Sequence, residues 1–130
     1  MIYISQASDG SSVINLALGN DEVLRVPLTV DDAGTEYEMS ENEYLIFSVR
    51  EKPTEDSPLL LEIESDRGSN DIEFRHADTE EMVPGFYSAE VQLMTGDGKK
   101  KTVWPKLTGN ARTNTNNRKN FCLMTKVVYR

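Results

Sequence analysis

Apolar and polar residues alternate one by one along short stretches of this chain, and each stretch ends at a cluster of turn-forming residues. A period of two puts every second side chain on one face of an extended strand, so the pattern favours β-structure over helix. Val23 to Val30, VLRVPLTV, sets Leu24, Val26, Leu28 and Val30 against Arg25, Pro27 and Thr29. That is the pattern of a half-buried strand. Proline gives no amide hydrogen to a ladder, which points to a sheet edge or a bulge at Pro27. Val13 to Leu18, VINLAL, is a further candidate strand, and the Gly19, Asn20, Asp21 link between the two predicts a hairpin.

The rest of the chain keeps to this pattern. Asp31, Asp32, Ala33 and Gly34 form a turn cluster, after which Tyr44 to Arg50 (YLIFSVR) is dense in aromatic and β-branched residues and is the best candidate for a central strand. A loop over Lys52 to Pro58, strands over Leu59 to Ser65 and Asp71 to Arg75, and a turn over Asp66 to Asn70 follow. Ala77 to Met82 suits one helical turn, stopped by Pro84 and Gly85 before a strand over Phe86 to Met94. Thr95, Gly96, Asp97 and Gly98 then join that strand to Lys101 to Trp104 in the clearest hairpin of the chain. Lys106 to Asn120 is polar and rich in Asn and Thr, the composition of a long loop or arm, and Phe121 to Tyr129 predicts a last strand.

With no helix of four turns and no repeat, the reading is all-β: a single domain over residues 1–130, an immunoglobulin-like antiparallel β-sandwich of about seven to eight strands with a polar loop at about 106–120. A chain of 14.7 kDa has room for one core. Tyr87 follows Pro84, Gly85 and Phe86 at a strand entry, where a tyrosine corner would tie its hydroxyl to loop backbone; an ordinary core tyrosine is the alternative.

Charge and cysteine content narrow the function classes. There are 22 acidic residues against 14 basic ones, a net charge of -8, which disfavours binding to nucleic-acid phosphates or anionic lipid. No membrane partner and no nucleic acid is expected, and the first residues, MIYISQASDG, do not read as a signal peptide. One cysteine, Cys122, excludes an intrachain disulfide and suits synthesis in a reducing cytoplasm.

Side chains that catalysis would require are sparse and scattered. His76 is the only histidine and reads as a solvated loop residue, while the serines at Ser8 to Ser12 have no accompanying base. Cys122 sits in FCLM, the context of a buried small hydrophobe rather than an activated thiol. The carboxylates at Asp31 and Asp32, at Asp66 and Asp71, and at Asp78, Glu80 and Glu81 match no EF-hand spacing and read as turn stabilisers. Gly96, Asp97 and Gly98 before Lys99, Lys100 and Lys101 lack the helix a phosphate-binding loop needs. No catalytic, cofactor-binding or metal residue is assigned. Lys99, Lys100 and Lys101 guard a strand edge from aggregation and are candidate contacts for an acidic partner.

Taken in order, VINLALGNDEVLRVPLTVDDAG, YEMSENEYLIFSVR and DIEFRHADTEEMVPGFYSAEVQLMTGDGKKKTVW resemble the immunoglobulin-like domain of tailed-phage structural proteins, in particular the N-terminal domains of baseplate upper proteins. The resemblance covers about Ile14 to Leu107 and lies in the order and spacing of strands and turns. It implies a non-catalytic component of a tail, baseplate or head surface, with other virion proteins and a second copy of itself as partners. Residues 109–130 depart from the linker such domains carry, which implies a short stand-alone component. The acidic body and basic C-terminal part suit head-to-tail packing. Two alternatives stand beside it: a carbohydrate- or host-surface-binding module using Tyr37, Tyr44 and Trp104, and an acidic inhibitor that mimics DNA.

Overall fold

The computed structural model describes residues 3–6, 12–26, 28, 36–52, 56–104 and 121–126. They form an all-β arrangement with one short helix. In chain order the strands are β1 (Tyr3–Gln6), β2 (Ser12–Leu18), β3 (Glu22–Arg25), β4 (Tyr44–Arg50), β5 (Leu59–Glu64) and β6 (Asp71–Phe74). Helix α1 (His76–Thr79) comes next, followed by β7 (Gly85–Met94), β8 (Lys100–Trp104) and β9 (Phe121–Lys126).

Seven strands make one sheet in the order β1-β2-β9-β7-β4-β5, with β8 also paired to β7, and β3 and β6 make a second sheet of two. Every pairing is antiparallel except that of β2 with β9, which is parallel. The inward residues alternate as the sequence pattern requires. Ile14, Leu16 and Leu18 of β2, Leu45, Phe47 and Val49 of β4, and Ala89, Val91 and Leu93 of β7 share one buried cluster with Leu24, Ile72 and Phe74 of the small sheet. Phe47 meets Phe74 edge to face, ring centroids 5.2 Å apart, and so links the two sheets at the centre of the core.

Most strand expectations hold to within a residue or two, and Tyr44–Arg50 has a strand on either side, β7 and β5. The expected hairpin between Val13–Leu18 and Val23–Val30 does not form. Both sides of β2 are taken, by β1 and by β9, while β3 pairs with β6 in the other sheet. Between them Gly19 adopts φ 81°, and its N–H donates to Thr79 Oγ1 at 2.9 Å, so the chain leaves the large sheet rather than folding back on it. The crossing is what brings Leu24 to the core from the opposite side.

The ladder of β3 stops at Arg25, yet the alternation continues beyond it, since Leu24, Val26 and Leu28 are all buried. Val26 continues the register beyond Arg25 and Asp71 to Asn70, whose carbonyl accepts from the Val26 N–H at 2.9 Å, while the side-chain Nδ2 of Asn70 donates to the Val26 carbonyl at 3.0 Å. Pro27 and the Asp31–Gly34 cluster lie outside the described residues, as do 105–120 and 127–130. Strand β1 and the parallel β2–β9 pairing were not anticipated, and nine strands are described where about seven to eight were expected.

Candidate functional site

Three places gather polar or exposed side chains: the β7–β8 hairpin tip, the outer edge of β5, and the junction of β3, β6 and α1. The hairpin tip is closed by Gly98 N–H to the Thr95 carbonyl at 3.0 Å and Thr95 N–H to the Lys99 carbonyl at 2.9 Å, with Gly98 at φ 86°. A turn ended by a left-handed glycine matches the right-handed twist of the strands it joins. Asp97 takes hydrogen bonds from the Thr95 hydroxyl and the Lys99 N–H, which hold its carboxyl below the ordinary carboxylate value. Lys99 lies 3.7 Å from Asp97 with its side chain 74% exposed, and Lys100 is also exposed. Lys101 sits opposite Leu93 in the register, and its side chain lies outside the described set.

Strand β5 ends the large sheet, and among the described residues it has a strand on one side only, β4. Its register slips between Val49 and Arg50, so that Leu61 faces Val49 while Leu59 faces Arg50, with Leu60 as the extra residue of a bulge. Leu59 and Leu60 are 44% and 43% exposed, and Glu62 and Glu64 project outward next to them. Arg67, in the following turn, stacks its guanidinium 3.6 Å above the Tyr44 ring.

At the third place the Asp21 carboxylate accepts from the His76 backbone N–H at 2.8 Å and lies 3.1 Å from His76 Nδ1. These bonds hold Asp21 below its ordinary pKa, the backbone bond contributing most. His76 thus anchors the start of α1 with its ring largely in solvent. A shallow cleft of about 460 Å³ between Asp21, Val23, Glu73 and Arg75 lies beside it. Among the described residues no three of His, Cys, Asp and Glu come together in a way that would hold a metal ion.

Tyr87 donates its hydroxyl hydrogen to the carbonyl of Val83, four residues upstream, and thereby ties the strand entry to the loop after α1. Of the three aromatics weighed for sugar binding, Tyr37 donates to the Glu43 carboxylate, 2.8 Å from either oxygen, and Tyr44 lies under Arg67. The bond to Glu43 raises the Tyr37 hydroxyl above its ordinary pKa. Trp104 sits opposite Val91 in the register, with its side chain outside the described set, as is that of Cys122.

Sequence reasoning passed over Glu43, which is 6% exposed and organises the approach to β4. Its carboxylate accepts from the Ser40 N–H at 2.8 Å, while its own N–H donates to the Ser40 carbonyl at 3.1 Å. The spacing Ser-x-x-Glu ahead of an apolar run was the available signal, used here to close a turn before a strand rather than to start a helix. Glu62 and Glu64 were also missed, because nothing local marks β5 as an edge.

Compared with known protein families, with curated proteins and with solved structures, the chain matches none of them. No helix among the described residues is long and apolar enough to cross a membrane.

Proposed function

We propose that this chain is a non-catalytic structural component of a phage or prophage virion, in the tail, the baseplate or the head surface, and that it acts through protein–protein assembly. The observation that carries the reading is the edge of the large sheet at β5, open among the described residues, where two leucines stand exposed. An unpaired edge with exposed leucines offers another chain both main-chain partners and apolar area.

The immunoglobulin-like reading of the fold agrees with the strand order. The run β9-β7-β4-β5 follows the order G-F-C-C′ of the larger sheet in a variable-type domain, and β3 with β6 follows the pair B and E. In that scheme β8 and β9 are two halves of one strand, since Trp104 and Phe121 lie opposite Val91 and Ser88 on the same strand β7. Tyr87 takes the place of the corner tyrosine, and Ala89, two residues on, takes the place where antibody domains carry the second cysteine of their core disulfide. Ala89 at 1% and Leu24 at 5% exposure fill that part of the core by packing instead.

The carbohydrate-binding alternative draws less support, because Tyr37 and Tyr44 are both engaged within the protein. The test is mass spectrometry of tailed particles purified from a culture that produces this protein. Several copies per particle, retained through a density gradient, are expected. Absence from intact particles would overturn the proposal.

A further inference from the structure

We infer that the β5 edge receives the β8 edge of a second copy of this chain, so that copies join head to tail through a continuous sheet. The inference rests on the assembly reading above and adds the partner, the strand and the register face.

Direction comes first. Strand β5 runs antiparallel to β4, β4 antiparallel to β7, and β7 antiparallel to β8. Among the described residues β8 pairs with β7 alone, and within the large sheet it therefore points opposite to β5. A copy added beside β5 in the same sheet orientation would present β8 in antiparallel alignment, whose hydrogen bonds are slightly more stable than parallel ones. The terminal strand β1 runs antiparallel to β2, which is parallel to β9. It would meet β5 in parallel.

Charge selects the same pair. Glu62 lies opposite Ser48 and Glu64 opposite Ile46, and in the neighbouring ladder Ser48 lies opposite Glu90 and Ile46 opposite Gln92. Met94, two residues beyond Gln92 on β7, is the partner of Lys100. Residues directly opposite share a face, so Glu62, Glu64 and Lys100 all belong to the face of the sheet turned away from the core. Docked edge to edge, Glu62 and Glu64 of one copy and Lys100 of the next fall on one surface. The chain as a whole is polarised in the same sense: β5 and its flanks are acidic, and no acidic residue follows Asp97.

The competing contacts inside each copy are weak ones. Glu64 lies 4.0 Å from Arg67 and Lys99 lies 3.7 Å from Asp97, all four side chains at least half exposed, and exposed pairs of this kind exchange partners at little cost. Two β5 edges would repel each other through Glu62 and Glu64, as would two β8 edges through their lysines. The charges thus disfavour a two-fold dimer and favour a head-to-tail contact, which closes into a ring or continues as a filament. Exposed Leu59 and Leu60 supply apolar area at the start of the same edge.

Light scattering on the full chain tests this with two variants, Glu62→Lys with Glu64→Lys, and Lys99→Glu with Lys100→Glu. The native chain should rise severalfold above its 14.7 kDa mass with concentration at low salt and return toward it when salt shortens the screening length. Each variant alone presents edges of one sign and should stay at the mass of a single chain, with an unchanged circular dichroism spectrum. Mixed in equal amounts, the two present opposite edges again and should recover the native mass, which no folding defect would produce. A native chain that stays single, variants that assemble as the native chain does, or a mixture that fails to recover would each overturn the edge pairing. Particles that still contain the protein in any of those cases would leave the assembly reading standing by itself.

Discussion

Strands β4 and β5 are neighbours in the same sheet and of nearly equal length, and each is rich in apolar residues, yet they have opposite roles. On β4, Leu45, Phe47 and Val49 are fully buried, Ile46 is buried on the other face, and both edges are paired. Strand β5 begins with two exposed leucines, keeps only Leu61 and Ile63 partly buried, and among the described residues is paired on one side. Apolar content therefore does not decide which strand carries the fold. Position in the sheet does, because burial and not composition sets what an apolar side chain contributes to stability.

The largest effect that sharpens this contrast is expected at Phe47. Replacing it with alanine removes the ring that bridges to Phe74 and opens a cavity between the sheets, a change that costs about 3–5 kcal/mol in comparable cores. Urea unfolding of Phe47→Ala should show a much lower midpoint with an unchanged slope. A loss below about 1 kcal/mol would mean that the two sheets do not depend on this contact.

A smaller effect is expected at Thr79, where the contrast between strand centre and periphery is put under strain. Thr79 lies in a helix of four residues, outside every strand, yet its side chain is completely buried and its hydroxyl accepts from the Gly19 N–H. Thr79→Val keeps the shape and removes the acceptor, which leaves a donor unsatisfied at a cost of about 1–3 kcal/mol. Faster hydrogen exchange at the Gly19 amide should accompany the loss. If stability and exchange both stay as they are, the link between α1 and the end of β2 is dispensable.

What was legible in the sequence follows the same division between local and distant causes. Strands β4 to β8 were readable because alternation and turn residues act over a few positions, and the Gly-Asp-Gly tip fixes its hairpin unaided. Alternation names a strand but not its neighbour. Val13 to Leu18 was recognised as a strand, and its partners were misassigned, because β9 lies a hundred residues further on and pairs in parallel. The basic hairpin was visible as a run of three lysines, while the acidic edge was not, since Glu62 and Glu64 acquire their meaning only when β5 ends the sheet.

At Leu60 the expected effect on stability is smaller again. The residue is 43% exposed and sits at the bulge, where it packs against little that a polar side chain could not replace. Leu60→Ser should shift stability by less than about 0.5 kcal/mol, the range of ordinary surface changes. A loss comparable with that at Phe47 would break the comparison, because it would make the β5 edge part of the core.

The smallest effect is expected at Asp21, and it depends on pH. Its carboxylate is held below its ordinary pKa by the His76 backbone bond first and by the His76 side chain second, and it is exposed to solvent. A carboxyl lowered on folding adds stability above its unfolded value, and that addition is lost as pH falls below the ordinary carboxylate range and through the folded value. Asp21→Asn retains an oxygen acceptor and removes the charge, so the variant should be slightly less stable than the native chain near neutral pH. The difference should shrink as the native carboxylate is protonated. Urea midpoints of the two proteins, measured at neutral pH and again in acid, read this directly. A gap that stays constant across the range would mean that the bond and not the charge of Asp21 fastens α1 to the turn after β2.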